Sequence, residues 1–126
     1  LAGMKKDILC VRGNCESEVD QMELPFPVMA DYAALWLDGP MAFVTHGHLY
    51  NEGALPALGR GDLLIHGHTH VPTIRWHQEE GYTYLNPGSV SIPKEDSPNS
   101  YMICQDGYFS IRQLQDGKEF LGKTIK

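Results

Sequence analysis

Two histidine-rich segments, each directly after a short apolar run, constrain the fold of this chain most strongly. Thr45-His46-Gly47-His48 follows the run Met41 to Val44, and Ile65-His66-Gly67-His68-Thr69-His70 completes the run that begins at Leu63. Short apolar runs of this kind, with a glycine close behind them, predict buried strands. Two strands that both end in histidine pairs predict one metal site at the edge of a sheet.

The second segment carries three histidines at alternate positions. In an extended backbone alternate side chains share a face, so His66, His68 and His70 are expected to point the same way. Together with the amide oxygen of Asn14, which follows the apolar run Ile8 to Val11, imidazoles suit Mn, Fe, Co, Ni or Zn in a catalytic site. They do not suit a cysteine-rich structural zinc site. Taken singly, each histidine also fits a surface or hydrogen-bonded position, and the asparagine fits a turn.

The rest of the chain predicts mainly strands. The predicted strands besides the two above are Ile8–Val11, Tyr32–Leu37, Thr73–His77, Tyr82–Asn86, Ser100–Cys104, Tyr108–Leu114 and Glu119–Leu121. Asp38-Gly39 and Asp106-Gly107 are typical of hairpin turns. Short helices are predicted only weakly, at Ser17–Met22 and Asn51–Leu58. No linker or repeat divides the chain, so residues 1–126 are interpreted as a single strand-rich domain of the α/β (α+β) class.

The charge balance bears on the class of partner. The formal net charge is −6, and no block of Lys or Arg occurs. A nucleic acid polymer is not expected as a partner because binding its phosphates requires a basic surface. A small phosphorylated substrate remains compatible, since bound cations would supply local positive charge.

Cysteine usage and hydropathy bear on the compartment. Cys10, Cys15 and Cys104 form no CxxC pair and no disulfide framework, which favours a reducing compartment. No apolar run approaches the ~18 residues of a membrane helix, and no segment has the features of a signal peptide. We therefore expect a cytoplasmic protein without a membrane partner.

Four motifs in a fixed order resemble a known family. They are Gly13-Asn14-Cys15-Glu16, Thr45-His46-Gly47-His48, Gly67-His68-Thr69-His70 and Asn86-Pro87-Gly88-Ser89. In order and spacing they are similar to those of the calcineurin-like metallophosphoesterases. The resemblance is strongest to the small bacterial phosphodiesterases of the YfcE type, through Val11 to Cys15, Ser17 to Gln21 and Asn86 to Pro93. It covers most of the chain, from about Ile8 to Cys104.

The resemblance implies a β-sandwich flanked by helices, with a dinuclear metal centre. It implies that Asn14, His46 and His68 ligate one metal and that His70 ligates the other. Two Mn ions are expected, with Zn, Ni and Fe as alternatives. His48 would lie next to the metal ligands or near the substrate. Cys15 occupies the place where many relatives carry a histidine that contacts the phosphate or protonates the leaving group, so Cys15 and His48 are the catalytic candidates.

The function that the resemblance implies is hydrolysis of a small phosphodiester or phosphomonoester, in which a metal-bound hydroxide attacks phosphorus in line. A catalytically incomplete scaffold for protein interaction is the alternative, because the same fold serves in retromer as an interaction subunit. A histidine-rich metal-storage protein is a third hypothesis. It is disfavoured because its histidines would lie in low-complexity tracts, whereas these histidines follow strands.

One departure from the family pattern concerns its carboxylate ligands. The sequence has no Asp-x-His, and its one Gly-Asp, Gly61-Asp62, follows the asparagine motif instead of preceding it. The chain is therefore expected to be the C-terminal part of such a sandwich, truncated at its N-terminus. Because the apolar runs Ile8 to Val11 and Leu63 to Ile65 would then lose neighbours, we predict that the isolated chain is dimeric, poorly soluble or dependent on a complementary segment.

Overall fold

The part of the chain that the structure describes forms two β-sheets. A computed structural model describes residues 2–13, 22, 23, 25–27, 29–37 and 39–125. The strands within these residues are β1 (Tyr32–Trp36), β2 (Met41–Thr45), β3 (Leu63–His66), β4 (Thr73–His77), β5 (Tyr82–Asn86), β6 (Ser100–Gln105), β7 (Tyr108–Gln113) and β8 (Glu119–Thr124). A 3-10 helix covers Ala2–Asp7, and Met22 and Glu23 have an α-helical backbone. None of the helical segments described is long and apolar enough to cross a membrane.

The larger sheet has five strands in the order β1-β2-β3-β5-β4. Its three central strands, β2, β3 and β5, are parallel to one another. The outer strands β1 and β4 pair antiparallel with their neighbours. Central parallel strands are usually covered on both faces and read as continuous apolar runs. This explains why Leu63 and Leu64, which are adjacent in sequence and point to opposite faces, are both fully buried.

Two hydrophobic clusters cover the two faces of the larger sheet. One cluster consists of Ala42, Leu63, Leu85 and Phe109. Because Phe109 belongs to β7, this cluster packs the two sheets together. The cluster on the opposite face consists of Phe43, Leu64, Tyr82 and Tyr84.

The smaller sheet is antiparallel, with the order β6-β7-β8. Its first hairpin turns at Asp106-Gly107, where φ is 51° and 79°. Positive φ at both central residues is what a two-residue type I′ turn requires, and Asp-Gly is a favoured pair there. The predicted hairpin at this position is confirmed.

The predicted strand-rich fold class is confirmed, and so are its strands from Tyr32 onward, but two predicted segments are wrong. Ile8–Val11 forms no strand, because none of its backbone groups enters a sheet ladder with described residues. Asn51–Leu58 forms no helix. Its backbone turns back in a bridge between Asn51 and Ala54, and Pro56 lacks the N–H that a helix would use. The helix predicted at Ser17–Met22 falls outside the described residues except for its last position.

Candidate functional site

The parallel strands bring three of the sequence motifs to one edge of the larger sheet. β2 ends at Thr45, β3 at His66 and β5 at Asn86, and a histidine segment or the Asn-Pro-Gly-Ser loop follows each end. The carboxyl ends of parallel strands lie at the same edge, where α/β proteins bind their ligands. Thr45 is paired directly with His66, so the two histidine segments begin side by side.

Three of the predicted site histidines are close to one another. Nε2 of His46 and Nδ1 of His68 lie 3.2 Å apart and share a hydrogen bond, with ring centroids at 5.0 Å. The centroid of the His48 ring lies 5.3 Å from that of the His46 ring. The Nδ1 atom of His48 is buried and has no hydrogen-bond partner among the described residues. The structure therefore gathers histidines from two segments that are 20 residues apart in sequence.

The backbone of the second segment differs from the extended form that its alternation predicts. Strand β3 ends at His66, and His68 and His70 have φ of 64° and 61°. His66 is buried while His68 is exposed. The prediction that the three histidines share one face is therefore wrong, because left-handed residues interrupt the alternation of a strand.

His70 is oriented by a backbone carbonyl. Its Nδ1 lies 2.7 Å from the carbonyl oxygen of Ile92. A carbonyl only accepts hydrogen bonds, so Nδ1 carries the proton and donates, which leaves Nε2 of the neutral ring with its lone pair free. Histidines that ligate metals are commonly held in this way.

Close packing between the two segments centres on Gly47. Its φ is 118°, and a Cβ atom at this position would lie 2.6 Å from Nδ1 of His66 and 3.0 Å from Cβ of His68. Only glycine accommodates both the conformation and the contact. The glycine between His46 and His48 therefore lets the two segments touch.

The buried side chain of His66 packs next to the site histidines. Its Nδ1 lies 2.9 Å from the carbonyl oxygen of Gly67, and its ring packs on Tyr84 with centroids 4.5 Å apart. Burial lowers the pKa of His66, although the bond to Gly67 opposes this shift. A buried imidazole with a lowered pKa stays neutral, so His66 adds no charge beneath the site.

A buried asparagine connects the second histidine segment to the Asn-Pro-Gly-Ser loop. The side chain of Asn86 is fully buried. Its amide nitrogen lies within hydrogen-bond distance of Gly67, Thr69 and Tyr84, and its oxygen accepts the backbone N–H of Gly88. Burial raises the pKa of Tyr84, and the hydrogen bonds to Asn86 and Thr69 partly offset it. The sequence motifs include Asn86 and Thr69, but no pattern pointed to Tyr84.

A cavity of about 510 Å³ opens above these residues. His46, His68 and His70 line one side of it, and the lining is completed by the ranges 87–90 and 100–102 together with Gly67. The volume lies within the range of small-molecule sites. The second sheet therefore contributes to the cavity through β6.

The donor atoms fit a divalent metal as a partial ligand set. Two imidazole nitrogens bound tetrahedrally at 2.0–2.1 Å would lie roughly 3.3 Å apart, close to the 3.2 Å between His46 and His68. His70 presents a free Nε2, as described above. Within the residues that the structure describes, no three His, Cys, Asp or Glu side chains are grouped so as to hold an ion. The remaining predicted ligand, Asn14, and the catalytic candidate Cys15 lie outside the described residues.

The sequence is similar to a known protein family and to individual proteins. Residues 1–106 match the family profile described as the calcineurin-like phosphoesterase superfamily domain. The Phosphodiesterase YfcE of Escherichia coli K12 is 45% identical over 109 residues, which are 86% of this chain and 58% of that protein. A probable metallophosphoesterase of Methanothermobacter thermautotrophicus is 40% identical over 68 residues, 49% of this chain and 38% of that protein. The chain thus spans 58% of the length of the curated phosphodiesterase.

Comparisons of the structure agree with those of the sequence. The E. coli YfcE phosphoesterase superposes with a TM-score of 0.95 and 40% identity, over 100% of this chain and 68% of that one. Vps29 of Entamoeba histolytica superposes with a TM-score of 0.55 and 23% identity, over 92% of this chain and 64% of that one. The second likeness shows the fold alone, and both agree with the fold class predicted from the motifs.

Proposed function

The chain belongs to the calcineurin-like phosphoesterase superfamily, and from this premise we propose that it acts as a metal-dependent phosphodiesterase on a small phosphate ester. The observation that carries the proposal is the convergence of His46 Nε2 and His68 Nδ1, 3.2 Å apart, beneath a cavity at the carboxyl edge of the parallel strands. Such a pair of imidazole nitrogens suits a divalent metal. The similarity to a protein named as a phosphodiesterase supports the same reaction class.

The ligands in this proposal are those expected from the sequence. His46 and His68 hold one ion with Asn14, and His70 presents its free Nε2 to a second ion. Divalent ions supply positive charge for phosphoryl oxygens and activate water when they are bound. We propose two Mn ions, with Zn, Ni or Fe as alternatives that the same nitrogen donors accept.

We propose that His48, which lies beside His46 but does not line the cavity, either supports His46 or contacts the phosphate group. The buried Nδ1 of His48 has no partner among the described residues, and its ring adjoins that of His46. A neutral imidazole donates from one nitrogen and accepts at the other, so it can bond to a phosphoryl oxygen or to a bound water. Cys15 remains the candidate for contacts to the leaving group.

The first experiment compares variants of the proposed ligands with a histidine outside the site. Hydrolysis of a chromogenic aryl phosphodiester is measured with added Mn²⁺ for His46→Ala, His68→Ala and His77→Gln. We expect the first two changes to lower kcat/KM on the order of 100-fold or more, because each removes a metal donor. His77, on β4, bonds to Glu52 and does not line the cavity, so its variant is expected to retain activity.

The same preparations allow the metal stoichiometry to be measured by equilibrium dialysis against Mn²⁺. Two ions per chain, with loss of binding in His68→Ala, are expected. Unchanged hydrolysis in both His46→Ala and His68→Ala would overturn the proposal. It would favour the alternative of a non-catalytic interaction scaffold.

A further inference from the structure

The turn that carries His68 and His70 has a conformation that its own residues disfavour. Both histidines have left-handed φ, on either side of Thr69, although side chains with a Cβ atom rarely adopt this region. Conformations of this kind persist only where the surroundings enforce them. A contact outside the turn must therefore hold it, and the described residues show which one.

The side chain of Asn86 makes that contact. Its Nδ2 donates to the carbonyl oxygen of Gly67 at 3.0 Å and to Oγ1 of Thr69 at 2.8 Å. One carboxamide therefore binds the turn at two points. Its Oδ1 accepts the Gly88 N–H at 2.9 Å. Because Asn86 is fully buried, water cannot replace these bonds without opening the core.

Asn86 also contacts a side chain outside the turn. Nδ2 also lies 2.8 Å from the hydroxyl oxygen of Tyr84, and the guanidinium carbon of Arg75 lies 5.7 Å from the centre of the Tyr84 ring. Arg75 is in turn held by both carboxylate oxygens of Glu52, at 2.6 and 2.8 Å. These contacts connect the Tyr84 ring beside the carboxamide to Arg75 and Glu52.

We propose that Asn86 is a positioning residue, which fixes the turn Gly67 to His70 so that His68 and His70 face the cavity together. Asn86 does not line the cavity itself, so it acts through the two histidines. The inference rests on the proposed function only in taking these histidines as metal ligands. The fixing of the turn is a separate claim, which can be tested without metal.

The carboxamide can be dissected with two substitutions. Asn86→Ala removes every bond of the side chain. Asn86→Asp keeps an oxygen that can accept the Gly88 N–H, but as a carboxylate it has no hydrogen to donate to the Gly67 carbonyl. Both variants are expected to release the turn, since the donated bond is lost in each.

The partner on the turn offers a second pair of variants. Thr69→Val removes the hydroxyl that Asn86 contacts, whereas Thr69→Ser keeps it. We expect the serine variant to retain the wild-type turn and the valine variant to lose part of its restraint. The matched control is Ser110→Ala in the smaller sheet, which removes a buried hydroxyl that donates to Glu119 at 2.8 Å.

The turn is observed in metal-free protein by NMR, through the ring nitrogen shifts of His68 and His70 and the exchange of the Thr69 amide, which donates to Gly67 at 2.7 Å. Mn²⁺ affinity is measured separately by calorimetry. For Asn86→Ala and Asn86→Asp we expect amide exchange at least about tenfold faster and Mn²⁺ affinity lowered by about 10- to 100-fold. Ser110→Ala is expected to lower Tm without changing either quantity.

The outcomes separate the two claims. If the wild-type chain binds no Mn²⁺, the proposed metal function fails, while the metal-free NMR comparison still decides the role of Asn86. If the Asn86 variants lose stability as Ser110→Ala does but keep the wild-type histidine shifts and Thr69 exchange, the positioning role is overturned. Should Asn86→Ala fail to fold, Asn86→Asp and the Thr69 pair decide the question by the same measurements.

Discussion

At the scale of single residues, the contact between the two histidine segments depends on the absence of a side chain at Gly47. A Cβ atom there would approach the ring of His66 to 2.6 Å, and the backbone has φ of 118°. At Gly67, the corresponding glycine of the second segment, a Cβ atom would meet none of the described residues within 4 Å, and φ is not left-handed. The two glycines look alike in sequence, but only Gly47 has a positive φ and a close contact that exclude a side chain.

We predict that Gly47→Ala lowers the free energy of unfolding by about 1–3 kcal/mol, because both the conformation and the contact are disfavoured. It should also separate the rings of His46 and His68. Gly67→Ala is the matched control and is expected to change stability by less than about 1 kcal/mol. Urea unfolding measures the first effect, and the ring NMR signals of the two histidines measure the second. Equal losses in both variants would show that crowding at Gly47 is not the cause.

The site residues could be predicted from sequence only as far as local patterns reach. The motifs predicted His46, His48, His68 and His70 as site residues, because histidines after apolar runs are a clear signal, and His46, His68 and His70 line the cavity. The left-handed turn and the hydrogen bonds that Asn86 donates to it depend on β3 and β5 lying side by side. The pairing of these strands brings together residues that are 17 to 19 positions apart, and a local sequence pattern does not reveal it.

At the scale of elements, the hairpin of β7 and β8 contains a hydrogen-bonded carboxylate. Glu119 Oε1 accepts the hydroxyl of Tyr108 at 2.7 Å and that of Ser110 at 2.8 Å. These two bonds, the first being the larger cause, lower the pKa of Glu119 below its usual 4.5. A lowered carboxyl pKa stabilises the fold above about pH 4.5, and this contribution is lost as the pH falls through the lower, folded-state value.

We therefore predict that Tyr108→Phe raises the pKa of Glu119 toward 4.5 and that Ser110→Ala raises it by less. The carboxyl carbon signal of Glu119, followed by NMR from pH 7 to pH 2, gives both values. The acid side of the stability curve should become flatter in Tyr108→Phe, because less proton uptake then accompanies unfolding. An unchanged titration in Tyr108→Phe, or a larger shift in Ser110→Ala, would contradict the assignment.

Secondary structure could be predicted well where a strand pairs with its sequence neighbour and poorly elsewhere. The hairpins β1–β2, β4–β5 and β6–β7 follow from short apolar or alternating runs around turn residues. Ile8–Val11 has an equally apolar pattern, but a strand exists only where a ladder partner is present. Asn51–Leu58 has a composition that suits a helix, yet Gly53 and Pro56 interrupt it.

At the scale of the whole molecule, the cavity depends on how the two sheets are packed. The histidines belong to the larger sheet, whereas Ser100, Tyr101 and Met102 line the cavity from β6 of the smaller one. Phe109, which is 2% exposed, packs on Ala42, Leu63 and Leu85 and so joins the two sheets, and Met102 of β6 packs against the same cluster. The sequence predicted the strands on both sides of this contact, but not which of the aromatic residues would bridge them.

Phe109 and Phe120 both belong to the smaller sheet. Substituting each of them therefore tests the packing between the two sheets with the same residue type. Phe109→Ala is expected to lower the free energy of unfolding by about 3–5 kcal/mol, the usual cost of emptying a buried phenylalanine site. Phe109→Leu keeps most of the volume and is expected to cost about 1 kcal/mol. Phe120, on β8, is 41% exposed, so Phe120→Ala should cost clearly less than Phe109→Ala. Because Met102 of β6 packs against the cluster of Phe109 and also lines the cavity, Phe109→Leu should also alter the NMR signals of Met102, while Phe120→Ala should not. Similar losses of stability in the two alanine variants would mean that the sheets are held together by contacts other than the cluster around Phe109.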